Sequence, residues 1–299
     1  MRDMRYRGTY TAIVTPFTSE GALDEESLRA LVEQQIEGGI DGIVPVGTTG
    51  ESPTLSHEEH GRVIELVVRY ANGRCKVIAG TGSNSTDEAV ELTREAKRLG
   101  ADASLQVAPY YNKPTQEGLY QHFRTIAEKG GLPLFIYDIP GRTGVGVALE
   151  TIVRLRNDIP QGIIGLKEAT GTTERISRLR TLLGDDFSIL SGDDPLTIPM
   201  ISVGADGVIS VASNVIPREV SDMVHAALDG NFKKASKMHA KLFPLFKDLF
   251  IETNPIPIKA ALAMAGRIQE VYRLPLTRMA EQNRAKLETT LKEGGFLKA

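Results

Sequence analysis

The feature that most constrains this fold is a regular alternation of short, β-branched apolar runs with amphipathic segments. An apolar run followed by an amphipathic segment is the pattern of a βα unit, and repeated βα units build a parallel sheet. Eight such runs are present, at residues 10–17, 42–47, 76–82, 103–110, 132–140, 163–169, 187–193 and 207–213.

Eight units equal the number that closes a (β/α)8 TIM barrel. No dinucleotide-binding glycine fingerprint opens the first helix, which favours a barrel over an open doubly wound sheet, although the open sheet stays the alternative. Beyond residue 217 only helical patterns occur, interrupted at 253–259 by TNPIPIK, because residues before proline avoid the helical region. We therefore predict an α/β protein with a barrel over 1–230 and a C-terminal helical region, 231–299, packed on it.

The composition narrows the classes of partner. The 299 residues carry a net charge of −3, with 35 basic and 38 acidic residues, and no basic run that would follow a phosphate backbone. No apolar stretch has the length of a membrane span or a signal peptide. With Cys75 as the only cysteine, a disulfide within the chain and a thiolate metal cluster are excluded, and we predict a half-buried structural thiol. We expect a soluble, cytoplasmic protein that binds neither nucleic acid nor membrane.

Two helix starts carry capping signals. Ser56 is followed three residues later by Glu59, and Ser85 by Glu88. Serine with glutamate at this spacing forms a capping box, in which each side chain bonds the other residue's backbone N–H. We predict helices beginning after both serines, with the second helix ending at Gly100.

The sixth run, IIGLKEA, places Lys167 among apolar residues. A buried ammonium is costly unless something compensates for its lost hydration. The lysine either reaches solvent or pairs with a carboxylate, or burial lowers its pKa and makes it a nucleophile. An unshifted pKa of about 10.4 leaves only about one amine in 2,500 neutral at pH 7, so the nucleophilic role requires such a shift.

In a barrel, the carboxyl ends of the strands converge on one face, where reactive side chains are found. An amine, several hydroxyls and a guanidinium follow these ends, without a carboxylate pair or a histidine cluster. A neutral amine attacks a carbonyl to form a Schiff base, and hydroxyls can pass the protons that this reaction requires. The residues are Thr48, Thr49, Tyr110, Tyr111, Tyr137, Arg142 and Lys167.

Each of these residues also has a purely structural interpretation. The GTTGES segment at 47–52 could be an ordinary turn with threonines bonding the backbone. Tyr110 and Tyr111 could pack in a subunit interface, and Arg142 could pair with a surface carboxylate.

Six motifs in order resemble a known family. GTTGES (47–52), APYYNKP (108–114), YDIPGRTG (137–144), GLKEATG (165–171), LSGDD (190–194) and NPIPIK (254–259) are similar to those of the 4-hydroxy-tetrahydrodipicolinate synthases, also called dihydrodipicolinate synthases. This family belongs to the pyruvate-dependent class I aldolase superfamily, with N-acetylneuraminate lyase and 2-keto-3-deoxygluconate aldolase. The resemblance covers nearly the whole chain.

The resemblance implies a Schiff base between Lys167 and pyruvate, with Tyr137, Thr49 and Tyr111 as a proton relay. Tyr111 would come from a neighbouring subunit of a homotetramer built from tight dimers. Thr48 and the backbone around Gly192 and Ile209 would hold pyruvate. Arg142 would bind the carboxylate of L-aspartate 4-semialdehyde, which suits a planar, two-pronged donor. The product would be a precursor of diaminopimelate and lysine. No metal and no organic cofactor is implied, since the lysine itself is the electron sink.

The resemblance also implies a second site, because some family members are inhibited by L-lysine in a cleft at a subunit interface. The residues here that match that cleft are His57, His60, Asn84, Glu88 and Tyr110. Glu88 can accept from an ammonium and Tyr110 can donate to a carboxylate. The capping box predicted for Ser85 and Glu88 is the structural alternative for Glu88.

One position departs from the family pattern, because Asp138 stands where many members have asparagine. In a strand its side chain should point away from the face that carries Tyr137.

Two other functions share the same lysine. One is an aldolase that cleaves a 2-keto-3-deoxy sugar acid or N-acetylneuraminate, and the other is a non-catalytic sensor of pyruvate or lysine. Arg142 and the tyrosine pair favour the synthase over the sugar-acid aldolase, since a short aldehyde needs a carboxylate anchor. The intact amine and hydroxyl set argues against a sensor.

Overall fold

A computed structural model describes residues 6–297 and contains a closed barrel of eight parallel strands, each paired with its sequence neighbours and β1 with β8. The (β/α)8 prediction is therefore confirmed, and the open sheet is wrong. The strands are β1 Gly8–Ala12, β2 Gly42–Val44, β3 Lys76–Gly80, β4 Ala103–Val107, β5 Leu134–Asp138, β6 Ile163–Glu168, β7 Ser188–Ser191 and β8 Gly207–Ser210.

Helices follow every strand. A single turn of 3-10 helix follows β2 at Ser52–Thr54, and another follows β8 at Ala212–Asn214. The α-helices are α1 Glu25–Glu37, α2 His57–Ala71, α3 Thr86–Arg98, α4 Gln116–Gly130, α5 Pro140–Thr143, α6 Leu149–Asp158, α7 Thr173–Leu183, α8 Thr197–Ser202, α9 Pro217–Leu228, α10 Phe232–Asp248, α11 Ile256–Met264 and α12 Glu281–Glu293.

All eight predicted runs overlap a strand, but their limits differ. β1 begins at Gly8, two residues before the predicted run, and ends at Ala12 instead of residue 17. β2 spans only Gly42–Val44 of the run at 42–47. All eight runs extend past the last residue of their strand, because buried loop residues at the barrel mouth continue the apolar composition of the strands. Those loops carry the candidate site.

The core has two layers. Ten buried side chains from the strands fill the barrel interior, among them Tyr10, Phe135, Tyr137, Leu190 and Ile209. A larger layer lies between the strands and the surrounding helices. Alternate residues of a strand face opposite sides, so each strand contributes to both layers. This alternation decides which strand residues can reach the barrel mouth.

The first predicted capping box is confirmed and the second is only half formed. Ser56 accepts from Glu59 N, while the Glu59 carboxylate accepts from Ser56 N at 3.0 Å. Ser85 accepts from Glu88 N at 3.5 Å, but the Glu88 carboxylate does not return to the backbone of Ser85. It bonds Ser83 and His57 instead, so the structural interpretation of Glu88 as a capping-box residue is wrong.

From residue 217 to residue 297 the chain forms four α-helices, α9 to α12, and no strand. This agrees with the helical pattern predicted for this segment. α10 packs on α9, which itself contacts β1 and β8, and both α10 and α11 contact α12. The predicted division at 230/231 stays a prediction, and its outer limits, 1 and 299, lie outside the described residues. Within 6–297, no helix has the length and apolar character needed to cross a membrane.

Candidate active site

The centre of the candidate site is formed by two residues on neighbouring strands. Lys167 on β6 is paired in register with Tyr137 on β5, so both side chains point to the same face of the sheet. The Lys167 ammonium lies 4.1 Å from the centroid of the Tyr137 ring. Both residues are 6% exposed. Lys167 is therefore buried next to the face of an aromatic phenol.

No carboxylate in the part of the chain that the structure describes pairs with Lys167. Within the described residues, the lysines that form ion pairs are Lys76, Lys259, Lys286 and Lys292. The neighbouring carboxylate of Glu168 points to the other face of β6, where it binds Arg175. Of the two structural alternatives for Lys167, solvation at a strand end and carboxylate pairing, neither matches this geometry.

Gly192 and Ile209 lie beside this centre. A Cβ on Gly192 would lie 3.2 Å from Lys167 Cε and 2.8 Å from the Cβ of Ala169, so only glycine lets the chain pass this close to the lysine. The N–H of Gly192 is already donated to Glu168 O at 2.7 Å. Ile209 belongs to the apolar cluster of the barrel interior, together with Tyr137.

The GTTGES loop after β2 supplies two threonines. Thr49 is 2% exposed and Thr48 is half-buried. Two non-glycine residues in and beside the loop have positive φ, Val46 at 49° and Glu51 at 55°. Such backbone is disfavoured, most of all for a β-branched residue, and persists only where surrounding contacts enforce it.

The contacts that hold this loop come from the C-terminal helical region. The Glu51 carboxylate forms a fully buried ion pair with Lys259 on α11. Lys259 also donates to Thr15 O at 3.1 Å and lies 4.3 Å from the Phe17 ring centroid. The other Glu51 oxygen accepts from Arg273 N at 3.3 Å. Glu51 is thus fixed from two segments distant in sequence.

Arg142 lies on the short helix α5, directly after Tyr137 and β5, and its guanidinium is exposed at the barrel mouth. Its Nη2 donates to the main-chain oxygen of Asn254 at 3.0 Å. The side chain of the same Asn254 donates to Thr49 Oγ1 at 3.0 Å. Asn254 therefore connects the guanidinium and one hydroxyl of the candidate site. Among the residues that the structure describes, the surface ion pair considered for Arg142 is not formed.

Behind the site, the outer face of the sheet carries a buried ionic cluster. Arg175 donates from Nη2 to Asp138 and from Nε to Glu168, both at 2.7 Å, and both carboxylates are fully buried. Asp138 also accepts from Val147 N at 3.2 Å. Burial raises the pKa of Asp138 to about 6, and Arg175 opposes that shift. The prediction that Asp138 points away from the face of Tyr137 agrees with this geometry.

A cavity of about 500 Å3 opens at the carboxyl ends of the strands. It is lined by residues of both predicted sites, the one for catalysis and substrate binding and the one for the inhibitor L-lysine. These are Thr48, Tyr137 and Arg142 from the first site and His57, His60, Glu88 and Tyr110 from the second, with Asn254 and Glu51 between them. Within a single chain the two predicted sites are therefore continuous.

Tyr111 lies apart from the other predicted residues. Its side chain is 91% exposed and its backbone has a positive φ of 69°. Among the described residues, the Thr49 hydroxyl bonds Asn254 and not Tyr137, and Tyr111 contacts neither of them. The predicted relay of Tyr137, Thr49 and Tyr111 is therefore not assembled within one chain.

The residues predicted for lysine surround the start of α3. The Glu88 carboxylate is 2.9 Å from His57 Nε2 and also bonds Ser83, and these contacts hold the pKa of Glu88 below its usual range. Asn84 donates to Tyr110 O at 3.4 Å. His60 points toward the barrel, with Nε2 2.9 Å from Gly80 O, and burial lowers its pKa. His57, Asn84, Glu88 and Tyr110 thus form one cluster, while the His60 ring is engaged with the backbone.

The candidate site contains an amine, hydroxyls and one guanidinium as its reactive groups. The described residues hold no group of three or more His, Cys, Asp and Glu side chains arranged for a metal ion. A buried amine without a carboxylate partner is suited to attack a carbonyl, and the Tyr137 phenol beside it is suited to proton transfer.

Sequence reasoning missed three residues of this site. Asn254 and Lys259 were noted only as parts of the NPIPIK motif, and Arg175 not at all. Their partners lie 205, 208 and 37 residues away in the chain, at Thr49, Glu51 and Asp138. For Asn254 and Lys259, the signal in the sequence was that polar residues occur in a segment otherwise rich in proline and isoleucine.

Comparisons with known proteins agree on one family. The sequence model of the dihydrodipicolinate synthetase family matches residues 5–294. A relative named 4-hydroxy-tetrahydrodipicolinate synthase, from Sulfurihydrogenibium sp., is 54% identical over 98% of this chain and 100% of the relative.

Solved structures give the same result. The crystal structure of dihydrodipicolinate synthase from Aquifex aeolicus superposes with a TM-score of 0.96 and 51% identity, covering 98% of this chain and 100% of that one. A structure of the enzyme from Cyanidioschyzon merolae with lysine bound has a TM-score of 0.94 and 42% identity, covering 98% and 99%.

Proposed function

Since the chain belongs to the dihydrodipicolinate synthetase family, we propose that it performs the family's reaction through a Schiff base on Lys167. Its activity is that of a 4-hydroxy-tetrahydrodipicolinate synthase, a lyase of diaminopimelate and lysine biosynthesis. The substrates are pyruvate and L-aspartate 4-semialdehyde. The observation that supports Lys167 as the nucleophile is its burial beside Tyr137, with no carboxylate partner among residues 6–297.

The reaction follows from the chemistry of the amine. Lys167 Nζ attacks the keto carbon of pyruvate, and loss of water leaves an iminium. The iminium withdraws electrons from the methyl group, which loses a proton to give an enamine. The enamine carbon then attacks the aldehyde, forming the new carbon–carbon bond and a hydroxyl group. Finally, the amino group of the former aldehyde attacks the iminium carbon and displaces Lys167, which closes the ring.

The proton transfers are assigned to Tyr137, Thr49 and Tyr111. Tyr137 lies over the amine and Thr49 is buried at the same end of the barrel, which supports their roles. Tyr111 projects from its own chain, so it serves the relay only when it enters the site of another subunit. This requires at least a dimer, and we propose a homotetramer built from two tight dimers.

The two substrates are held by different groups. Thr48 and the backbone around Gly192 and Ile209 hold the pyruvate part next to Lys167. Gly192 can bind pyruvate only through its carbonyl, because its N–H already donates to Glu168 O. Arg142 binds the carboxylate of the aldehyde substrate, and its exposure at the mouth of the barrel supports this role.

The lysine supplies the electron sink, so the reaction requires no metal and no organic cofactor. Chelators should leave the rate unchanged. We also keep the expectation of a cytoplasmic location.

L-lysine is proposed to bind the cluster of His57, His60, Asn84, Glu88 and Tyr110 and to inhibit the reaction. The low pKa of Glu88 keeps it anionic and able to accept from an ammonium. The lysine-bound relative supports this proposal. Titration with L-lysine should lower activity and raise the melting temperature, while D-lysine serves as the control. Unchanged activity and melting temperature with L-lysine would remove the proposal.

Borohydride reduction in the presence of pyruvate tests the Schiff base. Peptide mapping should show a mass increment on Lys167, and a Lys167→Met variant should show none. In parallel, NMR should show a cyclic hydroxy product when pyruvate and L-aspartate 4-semialdehyde are both present. Labelling of Lys167 without that product would preserve the Schiff base and refute the aldehyde substrate.

A further inference from the structure

Asn254 is a buried polar residue that the mechanism above does not use. It is 6% exposed and lines the cavity beside Thr48, Tyr137 and Arg142. Its side-chain Nδ2 donates to Thr49 and its main-chain oxygen accepts from Arg142. Its side-chain Oδ1 is buried and has no hydrogen-bond partner among residues 6–297.

An unpaired buried amide oxygen is unusual, because nearly all buried polar atoms of a folded protein are hydrogen-bonded. Asn254 lines a cavity that has to admit a substrate, so a donor on that substrate is the group that can satisfy this oxygen. The main-chain oxygen of Asn254 is 3.0 Å from Arg142 Nη2, so a donor that binds the Asn254 side chain belongs to the same end of the substrate as the group held by Arg142.

L-aspartate 4-semialdehyde carries such a donor. Its α-amino group is on the carbon that bears the carboxylate, so a carboxylate held by Arg142 brings the amino group to the same end of the cavity. The two carboxylates lining the cavity are engaged elsewhere, Glu51 with Lys259 and Glu88 with His57 and Ser83. Asn254 Oδ1 is therefore an acceptor without a partner among residues 6–297, on the residue that binds Arg142.

We propose that Asn254 is a specificity-determining residue whose Oδ1 accepts a hydrogen bond from the α-amino group of the aldehyde substrate. This assignment rests on the function proposed above and extends it to the recognition of the amine. A neutral amide is suited to the task, because hydrogen bonds to an ionised acceptor are about twice as strong and would hold the amine in its protonated form. The amine has to lose a proton before it can close the ring.

The same side chain sets the direction of the Thr49 hydroxyl. Thr49 Oγ1 accepts from Asn254, so its own proton is free to be donated toward the reacting groups. Asn254 thereby links recognition of the second substrate to the proton relay.

The test compares two ligands, L-aspartate 4-semialdehyde and succinate semialdehyde, which has the same carboxylate and aldehyde but no amino group. The unaltered protein gives a KM for the first. The second cannot close the ring, so it is measured as an inhibitor. In an Asn254→Leu variant the KM for L-aspartate 4-semialdehyde should rise by about 10- to 100-fold, as expected for loss of one hydrogen bond to a charged group. The inhibition constant of succinate semialdehyde should rise by less than about 3-fold. The KM for pyruvate should stay unchanged.

An Asn254→Asp variant keeps an acceptor and serves as the matched control. It should retain the preference for the amino-bearing ligand, while its kcat falls because the amine is held protonated and Thr49 loses its donor. Circular dichroism melting checks that both variants fold, and if the leucine variant does not, Asn254→Ala replaces it in the comparison.

If the leucine variant bound both ligands more weakly by the same factor, the assignment would be overturned and the synthase function would stand. Loss of the preference in the aspartate variant would also overturn it, because the cavity would then need the amide as a donor. Absence of turnover by the unaltered protein would overturn the function, and the assignment with it.

Discussion

Among residues 6–297 two lysines are buried, and they lie in opposite electrostatic surroundings. Lys259 is fully buried, forms an ion pair with Glu51 and donates to Thr15 O. Burial lowers the pKa of Lys259, and the Glu51 carboxylate opposes that shift. Lys167 is 6% exposed and has the Tyr137 ring beside it in place of a carboxylate.

The comparison teaches that burial alone does not identify a reactive lysine. A carboxylate partner keeps the ammonium charged and occupies its donors, so Lys259 is fixed as a structural group. An aromatic face offers a weaker attraction and leaves the amine free to react. The four experiments below test this difference, in order of expected effect.

Replacing Lys167 by methionine should abolish the chemistry and leave the fold intact. We expect kcat to fall by at least about 10,000-fold, or about 5.4 kcal/mol in activation free energy, because no other amine is placed to form the Schiff base. The free energy of unfolding, measured in urea, should change by less than about 1 kcal/mol, since no ion pair is broken. A large loss of stability would mean that Lys167 has a structural partner.

Replacing Lys259 by methionine should have the opposite profile. The variant leaves the Glu51 carboxylate buried without its partner, which costs about 3 to 5 kcal/mol of unfolding free energy. Urea denaturation measures this loss. The Glu51→Gln/Lys259→Met double variant is the control, because it removes the unpaired charge and should recover about half of the loss. Equal destabilisation of the single and double variants would contradict the ion-pair explanation.

Replacing Tyr111 by phenylalanine tests the proposed relay to Lys167. Removal of one proton-transfer group should lower kcat by about 100-fold, or about 2.7 kcal/mol, without a change in melting temperature, since the side chain is exposed.

Mixing the Tyr111→Phe and Lys167→Met proteins under conditions that exchange subunits sharpens this test. A mixed dimer contains one intact site, with Lys167 from one subunit and Tyr111 from the other. Activity should therefore reappear. No recovery, with exchange demonstrated by mass spectrometry, would refute the shared site.

His122 extends the comparison to a third buried base. It is 5% exposed, its Nδ1 is 2.9 Å from Thr86 Oγ1, and burial lowers its pKa to about 4. In the unfolded chain His122 binds a proton near pH 6.5, whereas in the folded chain it stays neutral until about pH 4. The stability that depends on neutral His122 is therefore lost as the pH drops from about 6.5 toward 4.

Between pH 7 and pH 5 this histidine should account for about 1.5 to 2 kcal/mol of lost stability. The measurement is the difference between unaltered protein and a His122→Gln variant in urea denaturation at both pH values, which cancels the other titrating groups. The same pH dependence in both proteins would exclude His122 as the cause.

The fold was predictable in type and less so in detail. Eight apolar runs with intervening amphipathic segments predicted the barrel because the alternation of strand and helix is local and repeated. The ends of β1 and β2 were wrong because apolar composition continues from the ladder into buried loops. Ser56 was recognised as a cap since capping involves residues three apart, whereas the Glu88 carboxylate bonds His57 from another helix.

The sequence identified four candidate residues because they lie at or after the ends of predicted strands: Lys167, Tyr137, Thr49 and Arg142. The order of the six motifs then indicated the family. Their arrangement required the structure. The register of β5 and β6 puts Tyr137 over Lys167, and the segment at 253–259 puts Asn254 between Thr49 and Arg142.

The sequence by itself determined the strand and helix order, the closure number of the barrel and the residue types at its mouth, since these depend on local periodicity and spacing. Only the tertiary structure decided which of two buried lysines is paired, because the Glu51 carboxylate reaches Lys259 across 208 residues of chain. The free energy of a buried charge depends on its neighbours in space, and a linear sequence does not contain those distances.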